Sequence, residues 1–324
     1  MKPRIGLIGV GEISGWHVRA LRHVGFEISS VASRPGSTRI QAFAKDYNIP
    51  RLYYSFNDLL SDTHNWDGLV IATRTEGTMD LLRKFAGIGK PILVEKPVSH
   101  SSQELENSIP YLKDNILVAY NRRYYKTVQY AKSFVDQRLQ VQALMVLPES
   151  INLSQIKDRQ NYLYPFYDNS CHGIDMLRYI FGKLSLANVN HIRNEFGMIA
   201  GYSAILLGER GDIIQLLGSW GSPTNFSLSV SHMEKRLELK PFESAILYEG
   251  MQVIPPSDEY PVRRYIPKEI CRINLESIDY KEKPGFVQQA REFLSMFNGQ
   301  EIKVGATIID AFENIKLSEK LVQI

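Results

Sequence analysis

The chain has 324 residues, 44% hydrophobic and 23% charged, with a formal net charge of +3. A charge this mild, spread along the chain, argues against a nucleic-acid binder, and the length is enough for about two domains, each with its own core. No apolar run approaches the roughly 18–20 residues of a membrane helix. The N-terminus reads straight into a strand-like stretch without a separate signal-peptide core, and Cys171 and Cys271 suggest no disulfide framework, so a cytoplasmic location is expected.

Over residues 1–121 short apolar runs alternate with amphipathic stretches. "RIGLIGV", "EISSVAS", "DGLVIAT", "PILVEKP" and "NILVAY" read as buried strands. "ISGWHVRALRHVG", "STRIQAFAKDYNI", "TMDLLRKFAGIG" and "SSQELENSIPYL" read as the helices between them. That rhythm predicts a doubly wound parallel sheet with right-handed crossovers.

From residue 122 the rhythm changes. After a helix over 124–137, the runs "VQALMVLPES", "NVNHIRN", "GYSAILLGER", "DIIQLLGSW", "FSLSVSHM", "KRLELKPF" and "SAILYEG" follow with few helices between them. This predicts an α+β second domain, 122–324, built on a largely antiparallel sheet. "NSCHGIDMLRYIFG" is its main internal helix, stopped by Gly182. "PPSDEYP" at 255–261 is a loop. Two late helices, near 284–298 and 304–321, close the chain and are candidates to pack back on the first domain.

Three places in the first half carry candidate chemistry. Gly9-Val10-Gly11 follows the first strand and opens the first helix. There the first glycine permits a tight turn, and the second lets backbone approach a pyrophosphate at the helix N-terminus. Ser14 is small enough for the third position of G-x-G-x-x-G. The second strand ends in Ser33-Arg34, where an NAD site usually offers a carboxylate. An arginine suits a 2′-phosphate, which favours NADP. Glu95-Lys96-Pro97 closes the apolar strand-like run "PILVEKP", at the carboxyl edge where ligands bind in open α/β sheets.

Asp168, His172 and Asp175 fall at i, i+4 and i+7, on one helical face. By themselves they fit an acid–base site, part of a metal site or the wet side of an amphipathic helix. Ile174, Leu177, Ile180 and Phe181 form an apolar stripe opposite them. Metal would need further ligands from elsewhere, and no second cluster is evident. Cys171 reads as a packed thiol. The preceding "NYLYPFYD" suits either a stacking surface for a sugar or a loop packed on the sheet.

G-x-G after the first strand, E-K-P after the fifth and D-x-x-x-H-x-x-D in the second half together resemble the Gfo/Idh/MocA oxidoreductases (glucose–fructose oxidoreductase, inositol dehydrogenase and relatives). "AYNRRYYKT" is similar to the family's interdomain segment, "HGIDMLRYIFG" to its helix and His17 to a first-helix histidine. The resemblance implies a Rossmann domain, a domain with a large open sheet, and nicotinamide bound between them. It implies sugars, inositols, sugar acids or nucleotide sugars as substrates, and association through the open sheet into a dimer or tetramer. It implies catalytic roles for Lys96, His172 and Asp168, with Asp175 orienting His172. Cofactor contacts are expected from Gly9, Gly11, Glu12, Ile13, Ser33, Arg34, Thr73, Arg74, Glu95, Lys96 and Arg123. Substrate contacts are expected from Lys96, Arg123, Tyr164, Asp168 and His172. The Lys96–Pro97 peptide is expected to be cis.

The chain departs from the family in two places. Where relatives often carry T-P-x-x-x-H after the fourth strand, it has Thr73-Arg74-Thr75-Glu76-Gly77-Thr78, and Ser170 stands where glycine is common. Arg74, Arg122, Arg123 and Arg159 are candidates to surround an anionic substrate. The reading is an NAD(P)-dependent dehydrogenase or reductase acting on a sugar-like CH–OH, with NADP preferred. The alternative is an inactive NAD(P)-binding sensor or scaffold of the same fold.

Overall fold

A computed structural model describes residues 2–149 and 163–322, apart from the side chains of Tyr164 and Pro165. The chain forms two compact units, one of residues 1–124 with 277–319, the other of 125–276 with 320–324.

The first unit is built on six parallel strands in the order β3-β2-β1-β4-β5-β6. These are β1 (Arg4–Ile8), β2 (Glu27–Ala32), β3 (Arg51–Tyr53), β4 (Gly68–Ile71), β5 (Ile92–Val94) and β6 (Ile116–Val118). The connecting helices are α1 (Glu12–His23), α2 (Ile40–Asp46), α3 (Phe56–Ser61), α4 (Thr78–Phe85) and α5 (Ser102–Ser108). The short β3 and α3 lie outside the expected set. The remaining expected strands and helices of this half appear. Central strands such as Gly68–Ile71 are buried along their whole length, as a sheet covered on both faces requires. From the later segment, α8 (Phe286–Met296) packs on α1 and sinks Phe286, Val287, Ala290 and Phe293 into the core with Leu7, Val18 and Leu21. Each large apolar side chain buried this way contributes about 1.5–3 kcal/mol. The order of the strands reverses between β1 and β4, so the carboxyl edge there opens into a crevice.

In the second unit α6 (Lys126–Asp136) precedes β7 (Gln142–Glu149), and α7 (Tyr164–Phe181) precedes seven strands. Those strands are β8 (Leu184–Arg193), β9 (Ile199–Gly208), β10 (Ile213–Trp220), β11 (Ser227–His232), β12 (Lys235–Leu239), β13 (Ser244–Ile254) and β14 (Arg264–Asn274). The sheet order is β14-β13-β12-β11-β7-β10-β9-β8. It is antiparallel except where β10 runs parallel to β7. Helices α6 and α7 pack against it, and strands such as β10 alternate buried and exposed residues. The expected largely antiparallel domain is therefore present. Strand β14 is an addition to it. Its charged residues and Pro267 suit an edge strand, and they hide the period-2 signal that marks inner strands. The last helix, α9, runs Ile308–Val322. Among the described residues no helix is long and apolar enough to cross a membrane.

Candidate active site

The glycine turn is built by two different constraints. Gly9 sits at φ +112°, and a Cβ there would stand 2.1 Å from the Ala72 carbonyl oxygen, so only glycine fits. Gly11 sits at an ordinary φ of −85° as the N-cap of α1, and a Cβ there would meet nothing within 4 Å. Strand packing explains the first glycine. Open space in front of the backbone explains the second, as pyrophosphate approach requires. Buried Ser14 packs beside Gly9, while Gly15 makes room for the Tyr47 ring.

In front of the turn lies a cavity of about 780 Å³. Of the expected cofactor residues, Gly9, Gly11, Ile13, Ser33, Arg34, Thr73 and Arg74 line it, together with Ser37, Thr38 and Arg39, which sequence reading missed. These three follow the expected Ser33-Arg34 tip within five residues, and a second arginine so near the first is the signal that could have flagged them. Arg34 and Arg39 bring guanidinium groups to the lining and Glu76 a carboxylate, while β2 itself ends without one.

The departure after β4 has a local structure of its own. Thr73 Oγ1 lies 3.2 Å from Thr78 Oγ1, and the Thr78 hydroxyl donates to the Arg74 carbonyl at 3.1 Å. Two threonines thus close the loop, and exposed Arg74 is left at the cavity wall.

At the end of β5 the Lys96–Pro97 peptide is cis, as expected. Glu95 is buried and bound on both oxygens. His17 Nε2 meets Oε1 at 2.7 Å, and the Lys96 N–H donates to Oε2 at 3.2 Å. Burial pushes the Glu95 carboxyl up, but the His17 bond and the charges of Lys96 and Lys283 outweigh it and hold the group below the usual carboxylate range. Glu95 therefore stays ionised beneath the Lys96 backbone and fixes it to α1.

Arg123 is buried with its guanidinium turned toward the last segment of the unit. It donates to the Gly305 carbonyl at 3.2 Å and pairs with Asp310 at 3.4 Å. Burial raises the Asp310 carboxyl, but the Arg123 charge and the Thr307 N–H bring it below its ordinary value. This engagement makes Arg123 an anchor of the 121–124 segment.

In the second unit the polar face of α7 changes depth along its length. Asp168 is exposed, His172 half-buried and Asp175 buried. A merely wet face would not carry a buried aspartate. The opposite stripe, Ile174, Leu177, Ile180 and Phe181, is buried throughout, as is Cys171. Gly182, at φ +79°, stops the helix and donates to the Arg178 carbonyl at 2.9 Å. The helix starts at Tyr164, earlier than expected, and takes in part of the tyrosine-rich run. Phe166 packs against Tyr202 and Trp220. Arg159 lies outside the described residues, as does the side chain of Tyr164. Helix and sheet approach closely because a Cβ on Gly173 would stand 2.4 Å from Leu147 Cδ2.

Under the first half of α7 lies a polar cluster that the apolar look of "VQALMVLPES" concealed. Glu149 ends β7, and Asn169 Nδ2 donates to its Oε2 at 3.4 Å. Buried Ser170, Tyr202 and Trp220 surround it, and Glu149 Oε1 has no hydrogen-bond partner among the described residues. Burial pushes the Glu149 carboxyl up to about 8, with only Asn169 opposing. Burial and the nearby Glu149 push the Tyr202 phenol up as well, with Ser170 opposing.

A parallel sheet in the order 3-2-1-4-5-6, with a glycine turn opening into free space at the start of α1, defines a dinucleotide-binding Rossmann unit. Residues 3–120 match the family model of the Gfo/Idh/MocA oxidoreductases, described as oxidoreductase family, NAD-binding Rossmann fold. It is 26% identical over 186 residues to an uncharacterized oxidoreductase, YrbE, of Bacillus subtilis, covering 55% of this chain and 53% of that protein. It is 25% identical over 193 residues to an inositol 2-dehydrogenase of Rhizobium meliloti, covering 56% of each. The chain thus spans about half the length of the curated relatives it matches. In fold it is similar over its full length to a levoglucosan dehydrogenase solved with NADH and levoglucosan, at a TM-score of 0.77, 16% identity and 96% of that chain covered.

Proposed function

We propose that the protein is an NAD(P)-dependent oxidoreductase that moves hydride between nicotinamide and a carbinol or ketone carbon of a sugar, sugar acid or nucleotide sugar. The observation that carries this reading is the turn at Gly9 and Gly11, open toward a cavity lined by Ser33, Arg34, Thr73 and Arg74, with Lys96 at the end of β5 in the same unit. The relatives support it, since their names include an inositol 2-dehydrogenase and a levoglucosan dehydrogenase.

In this reading a bound nicotinamide supplies the hydride acceptor or donor, and the chain's own residues do the rest. His172 takes the substrate hydroxyl proton, a task that suits an imidazole at neutral pH. Lys96 stabilises the charge that builds on that oxygen. Asp175 orients His172, and Asp168 sets the charge next to it. Glu12, Glu95 and Arg123 hold the shape around the cofactor, and Tyr164 borders the substrate. NADP is the preferred form, supported by Arg34 and Arg39 at a strand end without a carboxylate.

We also propose a homo-oligomer formed through the open sheet and working in a reducing cytoplasm. Leu144 on β7, Ile205 and Leu207 on β9, and Ile213 and Leu217 on β10 are all more than a third exposed. The strand registers place them on one face around Gln215, a mainly apolar area that invites a partner surface.

The test is a fluorescence titration with NADPH and NADH, followed by a screen of sugars, sugar acids and sugar nucleotides for change in nicotinamide absorbance. NADPH is expected to bind more tightly, and Lys96→Ala and His172→Ala to abolish turnover while both variants keep their fold. Unchanged turnover in both variants would refute the catalytic assignment. Cofactor binding without turnover of any substrate would favour the sensor reading.

A further inference from the structure

The turn leading into α8 holds a cation that the proposed chemistry does not use. Three contacts fix this turn. Asn121 Nδ2 donates to the Pro284 carbonyl at 2.8 Å, the Gly285 N–H donates to the Asp279 carboxylate at 2.9 Å, and the Phe286 N–H donates to the Lys283 carbonyl at 3.2 Å. Gly285 adopts φ +77°, which suits glycine and holds the bend.

The Lys283 ammonium stands 5.2 Å from the centre of the Phe286 ring. That ring lies 4.8 Å from the His17 ring, and His17 binds Glu95, whose other oxygen binds the Lys96 N–H. Lys283 is therefore a second ammonium at the corner that holds Lys96. The residue is half-buried, and its ammonium forms no hydrogen bond or ion pair among the described residues. Both Glu95 oxygens are already engaged. Burial lowers the Lys283 pKa, the charges of Lys96 and Arg122 lower it further, and Glu95 and Glu12 oppose them. A cation held in a partly dry place without a direct ion pair costs free energy that a bound anion returns.

We infer that Lys283 forms an anion subsite, at the corner that holds Lys96, that takes a carboxylate or phosphate group of a bound ligand. Two ligands supply that chemistry, the carboxylate of an acidic sugar and a phosphate of the dinucleotide. The source of the anion rests on the dehydrogenase reading, and the subsite itself does not.

Lys283→Met keeps the aliphatic stem and removes the charge, and Lys283→Arg restores it. Isothermal titration of wild type and both variants uses NADH, NADPH and, with NADPH saturating, D-glucuronate against D-glucose. Thermal melts of the protein alone with added inorganic phosphate supply a readout without cofactor. Lys283→Met is expected to lose about tenfold or more in affinity for an anionic ligand, with Lys283→Arg close to wild type and D-glucose unaffected. Loss confined to D-glucuronate assigns the subsite to a substrate carboxylate, and loss confined to the dinucleotides assigns it to a cofactor phosphate. If Lys283→Met binds all the anions as tightly as wild type, the inference is overturned. If wild type binds no dinucleotide, the oxidoreductase reading fails, and the phosphate melts still decide the subsite. A phosphate-induced rise in wild type that Lys283→Met lacks supports it, and equal behaviour of the two proteins overturns it.

Discussion

Replacing Glu149 by glutamine takes away one titrating proton at the place where α7 meets the sheet, and leaves the shape of the side chain unchanged. In the folded protein burial raises this carboxyl from its ordinary 4.5 to about 8. Below pH 4.5 the group is protonated folded and unfolded, and it contributes no pH dependence. Between 4.5 and 8 the unfolded chain releases the proton while the folded chain keeps it, so stability falls as pH rises, by about 1.4 kcal/mol per unit. Above 8 both states are ionised and the loss is constant, at about 5 kcal/mol. At pH 7 it already amounts to about 3 kcal/mol. Glutamine stands in for the protonated form, since its amide oxygen can accept from Asn169 and its N–H groups can donate toward the other polar atoms of the cluster. Urea melts followed by circular dichroism from pH 5 to pH 9 give the comparison. The upper limit keeps the assay below the range of Tyr202, which burial and Glu149 push still higher. The gap in stability between Glu149→Gln and wild type is expected to widen with pH across this window and to level off near pH 8. Two curves that stay parallel would show that Glu149 ionises in the folded protein as it does in water, and the argument from its burial would fail.

Other perturbations test the remaining parts. Gly9→Ala places a methyl against the Ala72 backbone at a positive φ and is expected to cost about 2–5 kcal/mol, read as a lower Tm. Gly11→Ala meets nothing in the protein, so Tm is expected to hold while the dissociation constant for NADPH rises. An unchanged NADPH affinity would remove the turn from the cofactor site. Arg34→Ala and Arg39→Ala are expected to weaken NADPH more than NADH in titrations, and equal losses would argue against a 2′-phosphate pocket. Leu217→Lys, on the exposed face of β10, is expected to lower the mass seen by sedimentation without changing the far-ultraviolet spectrum. An unchanged mass would place any association elsewhere.

The first unit was legible because its signals are local. A strand, a glycine turn and a helix follow one another within 20 residues, and the constraint on Gly9 comes from the neighbouring strand β4. In the second unit the inner strands show their alternation, but β14 does not. An edge strand carries charges and Pro267 to discourage further pairing, and those residues resemble a loop. The short β3 and α3 were missed for a related reason, since three to six residues hold too little periodicity to read.

The candidate site shows where sequence reasoning stops. Spacing places Asp168, His172 and Asp175 on one face of α7, but it gives direction and says nothing of depth. That Asp175 is buried while Asp168 is exposed depends on what the sheet and its neighbours lay against the helix, and this removes the reading of a merely solvated face. Glu149 was hidden because an acid at the end of an apolar run usually marks the point where a strand reaches water. Here Tyr202, Trp220 and α7 close over it. Lys283 was hidden by distance along the chain. It stands 187 residues after Lys96, and only the packing of α8 on α1 carries it to the corner formed by His17 and Glu95. Motif reading found the residues held at the ends of strands and in the turn after β1. The charges that later segments bring to those strand ends, Lys283 among them, became visible only in the fold.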